Sequence, residues 1–507
     1  MSIVLEDVAF EWPGGQQLFK DFSLSLDPRR RYGLIGPNGI GKSTLAGLIL
    51  GDPVPLCGRV RSDVRVSYFT QFERPPDATV EEVLAELWIN AGRSDLHSIA
   101  ALVKDIDQDA PCSRLSGGEW TRVRLLRQLG TGADFIILDE PTNNLDRDAR
   151  DGVLAFARTT GRGLLVISHD RELLEEVDSI LELSNQGLSV FGGNWSFYAG
   201  ERSKERARLA GDLERAGKEK NKARRERADK LQMQEKRMRQ GEKAAPKQGL
   251  PKILLGMKKR RAQKTLGKIR QEADAAYDEK ALSARGAYER QKTDPVIYAD
   301  FPDTKVPASK LVFEARGLNF RFAGAPRELW SKGVTHAMHG PARLALSGKN
   351  GSGKTTFLDL LTGFRKPKGT LTGELKLGGL AYGMLDQRSD LLDEGRSVFE
   401  NASAGNRRGP VEVRNLLAQF LFQGARADQK VATLSGGERL RASLAKLLLA
   451  EPAPRLLVLD EPTNNLDIVN LEFLEGALSR YQGALIVVSH DRTFLEKIGV
   501  EDVLRLS

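Results

Sequence analysis

The sequence predicts an α/β chain: two domains with mainly parallel sheets, joined by a long charged α-helical hairpin. Three observations predict it. First, one set of motifs occurs twice in the same order. The first copy reads GPNGIGKST (36–44), Gln71, LSGGE (115–119), FIILDE (135–140) and SHD (168–170). The second reads GKNGSGKTT (348–356), Gln387, LSGGE (434–438), LLVLDE (456–461) and SHD (489–491). The offset drifts from 312 at Lys42/Lys354 to 321 at His169/His490. Slow drift with preserved order marks duplication of a whole domain. Second, short apolar, β-branched runs alternate with helical patterns, which is how parallel sheets read. Third, the stretch between the copies is rich in Lys, Arg, Glu, Ala and Gln and poor in β-branched residues, which favours long helices.

The first domain spans 1–199. It opens with alternating strands at 3–5 and 22–26, followed by a buried strand at 32–35 that feeds the glycine loop. A helix is expected from Lys42 to about Leu50, then short apolar strands at 135–138 and 163–167. Residues 200–295 form the hairpin. Leu209, Leu213 and Ala216 share one helical face, as do Leu266, Ile269 and Ala273, and these thin stripes suit two helices packed together. Gly241, Pro246, Gly249, Pro251 and Gly256 interrupt the pattern and read as its turn. Residues 296–310 are expected to be an extended connector. The second domain, 311–507, repeats the plan of the first.

Charge is unevenly placed. The chain nets +9, but residues 201–295 hold 29 Lys/Arg against 15 Asp/Glu, so they net +14 and the remainder nets −5. Residues 243–271 carry 10 basic residues and no acidic one. Such a block is either a solvated spacer or a surface for a polyanion. Its cations include Lys243, Lys247, Lys252, Lys258, Lys259, Arg260, Arg261 and Lys264, mixed with apolar Ile253, Leu254, Leu255 and Met257. No apolar run approaches the roughly 18 residues that cross a bilayer. The first residues, MSIVLEDVAF, lack a basic-then-apolar pattern, so no secretion signal is expected. Cys57 and Cys112 stand in no paired spacing, which fits a reducing cytoplasm without disulfides.

The motifs carry a phosphate chemistry. Each GxxxxGK[ST] loop follows a strand and opens a helix, so its backbone N–H groups and the helix N-terminus converge on phosphate. The first loop comprises Gly36, Pro37, Asn38, Gly39, Ile40, Gly41, Lys42, Ser43 and Thr44. The second comprises Gly348, Lys349, Asn350, Gly351, Ser352, Gly353, Lys354, Thr355 and Thr356. Lys42 and Lys354 are expected on the β/γ oxygens, with Ser43 and Thr355 on Mg²⁺. Asp139 and Asp460 end apolar strands and place a carboxylate near that metal. Glu140 and Glu461 follow, placed to polarise an attacking water, although an acidic pair there can also cap a helix. Gln71 and Gln387 are positioned to touch Mg²⁺ and the water. His169 and His490 read as donors to the γ-phosphate, though a lone histidine is often structural. Trp12 and Phe322 either stack on adenine or pack as ordinary core aromatics.

LSGGE between a glycine loop and an aspartate strand resembles the signature of ATP-binding cassette (ABC) proteins. That resemblance implies two cassettes paired head to tail, each ATP held between one glycine loop and the other cassette's signature. Site one would then join Lys42 to Ser435, Gly436 and Gly437. Site two would join Lys354 to Ser116, Gly117 and Gly118. Tandem cassettes, the long basic linker, EPTNNLD at 140–146 and 461–467, and FGGNWSFY at 191–198 resemble the ABC-F branch in particular. That branch implies an ATPase that binds ribosomes, with the hairpin reaching tRNA, ribosomal RNA and the peptidyl-transferase region. Asn144 and Asn465 replace the histidine usual there. Only 43 residues separate Gln71 from Leu115, too few for the helical arm some members carry, and no basic extension follows the second cassette. Ribosome contact would therefore rest on the hairpin, and cassette pairing within one chain implies a monomer.

Two other readings compete. Tandem ATPase subunits of membrane importers share this length and plan, but their connectors are short. DNA-repair ABC ATPases carry zinc cysteines and large insertions, and this sequence has neither.

Overall fold

The computed structural model describes residues 2–12, 16–85, 103, 106–143, 145–185, 187–244, 252–291, 302–385, 391–464 and 466–506. Two units separate. One comprises Met1–Tyr198 with Val296–Ser507, the other Ala199–Pro295.

In the first unit each cassette has two sheets. In cassette one, β1 (Ile3–Trp12) pairs antiparallel with β2 (Gln16–Leu26) and β4 (Cys57–Ser62). Both opening strands are longer than the sequence pattern predicts. Register shifts between Leu5 and Glu11 break the alternation by which the full strand would have been read. The second sheet runs β5-β6-β7-β3-β8-β9: β3 (Arg31–Ile35), β5 (Val66–Phe69), β6 (Phe135–Asp139), β7 (Gly163–Ile167), β8 (Ser179–Ser184) and β9 (Gly187–Phe191). Its strands are parallel except the final β8–β9 pair. β6 and β7 are buried along their whole length, as expected for strands covered on both faces. Cassette two repeats this with β10 (Leu311–Phe322), β11 (Val334–His339) and β13 (Gly369–Leu377) in one sheet. Its parallel sheet runs β14-β15-β16-β12-β17, from β12 (Arg343–Ser347), β14 (Tyr382–Leu385), β15 (Leu456–Asp460), β16 (Ala484–Val488) and β17 (Asp502–Arg505). In both, the glycine loop leaves the C-terminal end of a central strand, β3 or β12. The aspartate strand, β6 or β15, lies one strand further on, beyond β7 or β16, and ends at the same edge, where α/β sheets place their ligands. The helices after the loops are Lys42–Leu50, as predicted, and Lys354–Thr362.

The other unit is two helices, formed from Trp195–Ala244 and Lys252–Gln291. At 1.5 Å per residue they are roughly 75 and 60 Å long. Ala273 and Ala287 are buried. Arg227 bonds Asp274 at 2.6 Å and lies over Tyr277, and Lys280 pairs with Glu219 at 3.0 Å. Gly241 and Gly256 lie inside helical backbone rather than in a turn, and the other positions of the expected turn, Pro246, Gly249 and Pro251, lie outside the described residues, as does Lys247. Two glycines alone do not end helices whose flanking residues are strong helix formers.

The connector is not simply extended. Pro302–Thr304 form a 3₁₀ turn, Thr304 and Val306 are buried, and Thr304 Oγ1 accepts a hydrogen bond from Gln482 N–H. One apolar side chain and one hydroxyl with a backbone partner dock this segment, a contact across 178 positions that local pattern cannot show.

Candidate active site

Site one lies at the C-terminal edge of β3 and β6. Positive φ at Gly36, Gly39 and Gly41 winds the loop in a conformation that glycine adopts without steric cost. Lys42 is buried at 8% exposure, and its Nζ donates to the carbonyls of Gly36 at 2.7 Å and Pro37 at 3.2 Å. Ser43 Oγ donates to Asp139 Oδ2 at 2.6 Å, and Tyr68 Oη donates to the same oxygen at 3.0 Å. A hydroxyl and a buried carboxylate in contact form a hard-oxygen set that fits Mg²⁺. A cleft of about 420 Å³ is lined by Trp12, Lys42, Ser43, Gln71, Asp139, Glu140 and His169, so the six sequence-selected positions beside Lys42 converge on one space.

Glu140 takes a left-handed backbone, φ 48°, with its N–H bonded to the Ile167 carbonyl at 2.8 Å. Left-handed backbone is costly for a residue with a Cβ and persists where surrounding structure enforces it. Here it turns the carboxyl from the strand into the cleft. Burial pushes that carboxyl up to about 8, against the pull of Lys42. His169 Nε2 lies 3.3 Å from Glu140 Oε1, yet neither ring nitrogen has a hydrogen-bond partner among the described residues. Burial, then Lys42, holds the imidazole well below its ordinary range, so it is neutral. A neutral, buried ring with unpartnered nitrogens at the head of the cleft is shaped to receive a further oxygen.

Site two repeats the geometry. Lys354 Nζ donates to the Gly348 and Lys349 carbonyls at 2.7 and 3.2 Å, and Thr355 Oγ1 donates to Asp460 Oδ2 at 2.9 Å. Glu461 is again left-handed at φ 48°, its carboxyl raised by burial to about 7. His490 Nε2 lies 3.4 Å from Glu461 Oε1, and burial lowers the ring to about 4. Gln387 lies outside the described residues, as do Asn144 and Asn465.

Both signature serines are exposed and cap the helices Gly117–Leu129 and Gly436–Leu448. Ser116 Oγ accepts from Glu119 N–H, while Glu119 accepts from Ser116 N–H at 2.8 Å; Ser435 and Glu438 do the same. A Cβ built on Gly117 or Gly436 meets no atom within 4 Å. These glycines leave room beside two helix N-termini, which suits an approaching anion. Trp12 and Phe322 are not core residues. They are 45% and 41% exposed, each edge-on to a neighbour, Phe10 or Phe320, at 5.1 Å. In the hairpin, Arg260, Arg261 and Lys264 are exposed, and the backbone of Lys243, Lys252, Lys258 and Lys259 is helical.

The ABC transporter family matches residues 19–143 and 332–464, two copies that together span half the chain. The ribosome protection protein VmlR of Bacillus subtilis (strain 168) is 30% identical, over 98% of this chain and 85% of its own length. The ATP-binding protein Uup of Caulobacter vibrioides is 32% identical over 98% of this chain and 76% of its length. The energy-dependent translational throttle protein EttA of Escherichia coli (strain K12) is 29% identical over 96% and 89%. The chain belongs to the ABC-F family of ATP-binding cassette proteins. Its fold also matches a solved structure of RNase-L Inhibitor, with TM-score 0.60 at 20% identity, over 97% of this chain and 86% of that one. This ABC-F chain is therefore an ATPase that uses ATP with Mg²⁺. No helix among its described residues is long and apolar enough to cross a membrane.

The cassettes meet through contacts that sequence reading missed. Asn38 N–H donates to Asp467 Oδ2 at 3.1 Å, a bond from the first glycine loop to the end of the second EPTNNLD run. Arg171 pairs with Glu475 in a buried contact, and Lys497 joins Glu475 at 3.1 Å. Arg150 bonds the His490 carbonyl. Tyr68 was also missed; Met384 holds its place in cassette two. The available signal was difference rather than likeness. Arg150 and Glu475 stand where the other copy has Leu471 and Leu154.

Proposed function

We propose that this chain binds ribosomes in the cytoplasm and uses ATP to position its basic hairpin near tRNA and the peptidyl-transferase centre. It would act as a translation factor or as a ribosome-protection resistance factor. The hairpin carries the reading: 10 cations and no carboxylate within residues 243–271, between two complete ATPase cassettes. Contacts with phosphates of ribosomal RNA and tRNA are what such a tip would make. Relatives named for ribosome protection and translational throttling support it.

The residues divide the work as follows. Lys42 and Lys354 leave the loop carbonyls for the β/γ-phosphates. Ser43, Asp139 and Gln71, with Thr355, Asp460 and Gln387, would hold Mg²⁺, which neutralises phosphate charge. Glu140 and Glu461, once ionised, take the proton of the attacking water, and His169 and His490 donate to the γ-phosphate. Ser435–Gly437 complete site one and Ser116–Gly118 site two, so ATP closes the cassettes and hydrolysis releases them. Trp12 and Phe322 stack on adenine. The functional unit is a monomer.

The test is sedimentation of the E140Q/E461Q chain with ribosomes and ATP. Co-sedimentation that weakens steeply with salt is expected. A chain that stays at the top of the gradient refutes ribosome binding.

A further inference from the structure

We propose that Arg150 is a positioning residue that couples the two ATP sites directly, by holding both SHD loops in one guanidinium. Arg150 lies on the helix Arg147–Thr159, directly after the first EPTNNLD run, and is only 6% exposed. Its Nε and Nη2 donate to the two oxygens of Asp170 at 2.7 and 2.6 Å. Asp170 follows His169 of site one and caps the next helix through Glu172 N–H at 3.0 Å. The remaining Nη1 crosses to the other cassette and bonds the His490 carbonyl. A planar fork of fixed geometry therefore joins the loop behind one histidine to the backbone of the other.

The surroundings make this a link between sites rather than an isolated tie. Glu140, His169, Glu461 and His490 line one cavity of about 170 Å³, and Arg150 forms part of its wall. The link is also one-sided. Leu471, at the equivalent place in cassette two, lines the same cavity, is buried and has no donor to offer Asp491 or the first cassette. Asp491 instead spends its carboxylate on Phe494 N–H at 2.9 Å. A shift of the SHD loop when phosphate reaches His169 thus moves Asp170, then Arg150, then the His490 backbone. Coupling of this kind is reciprocal for binding, so ATP at either site tightens the other.

The inference rests on the assignment of these clefts as the two ATP sites, but its readout does not need turnover. In the E140Q/E461Q background, binding of a fluorescent ATP analogue with Mg²⁺ is expected to be cooperative, with a Hill coefficient above 1. R150L gives the first copy the second copy's residue, and D170N cuts the fork while leaving the His490 bond. Both are expected to lower the Hill coefficient toward 1, leaving only the coupling that shared closure supplies, and to weaken the mutual tightening about 5-fold or more. A merely structural role would lower the melting temperature and leave cooperativity intact. An undiminished Hill coefficient in folded R150L, or non-cooperative binding in the parent, overturns the proposal. If R150L does not fold, R150K decides: its ammonium keeps the charge but cannot hold three acceptors in a plane, so an unchanged Hill coefficient refutes the coupling. Failure of the site assignment looks different, because E140Q and E461Q would then leave hydrolysis unaltered.

Discussion

The two catalytic-position glutamates share a backbone strain and a burial, but not the same environment. Glu140 is pushed up to about 8 and Glu461 to about 7, both mainly by burial. A general base must be ionised, and a raised carboxyl ionises only as pH climbs through its shifted value. Activity therefore rises with pH rather than falling. In the E461Q chain, where site one hydrolyses, kcat/KM is expected to rise with a midpoint about 8. In the E140Q chain the midpoint should fall nearer 7. A profile that falls with rising pH in either variant would contradict the assignment, since both carboxyls are raised by burial. The aromatic platforms make a separate prediction. Trp12→Ala and Phe322→Ala should each weaken ATP binding roughly 5- to 150-fold, since stacking contributes about 1–3 kcal/mol per base. The maximal rate should barely change, because adenine lies away from the reacting phosphate.

Among elements, the signature helices and the hairpin make separable predictions. Ser116→Ala removes one arm of a capping box and should cost about 1 kcal/mol of stability, read as a lower denaturant midpoint. Deleting residues 243–270 should abolish any effect on translation while basal hydrolysis persists; lost ATPase would instead make the hairpin a folding element. What sequence revealed follows the range of the interaction. The helix Lys42–Leu50, the strands β6 and β7 and the carboxylates that end β6 and β15 were legible because local periodicity and loop chemistry define them. The full length of β1 was hidden by its register shifts. The docked connector and the Arg171–Glu475 pair were hidden because their partners lie 178 and 304 positions away. No local pattern encodes such a partner. The copies had to be compared for their differences, and Arg150 against Leu471 was visible only in that comparison.

For the whole molecule, the proposed pairing of each glycine loop with the other cassette's signature would make nucleotide a cross-link. In the E140Q/E461Q chain, ATP with Mg²⁺ at 100 times its dissociation constant should stabilise the fold by about 2.7 kcal/mol for each site it fills. ADP, which lacks the γ-phosphate that His169 and His490 are proposed to bind, should raise the melting temperature less. The open space at Gly117 and Gly436 carries one more consequence, for variants of this chain in a cell. A methyl there strikes nothing, so G117A or G436A protein would fold, persist and keep its basic hairpin, while an incoming phosphate would find its place filled. Such a chain would not be cleared as damaged. It would remain beside intact copies and compete for their target, so damage at these two glycines would be dominant where damage to the core would be merely recessive.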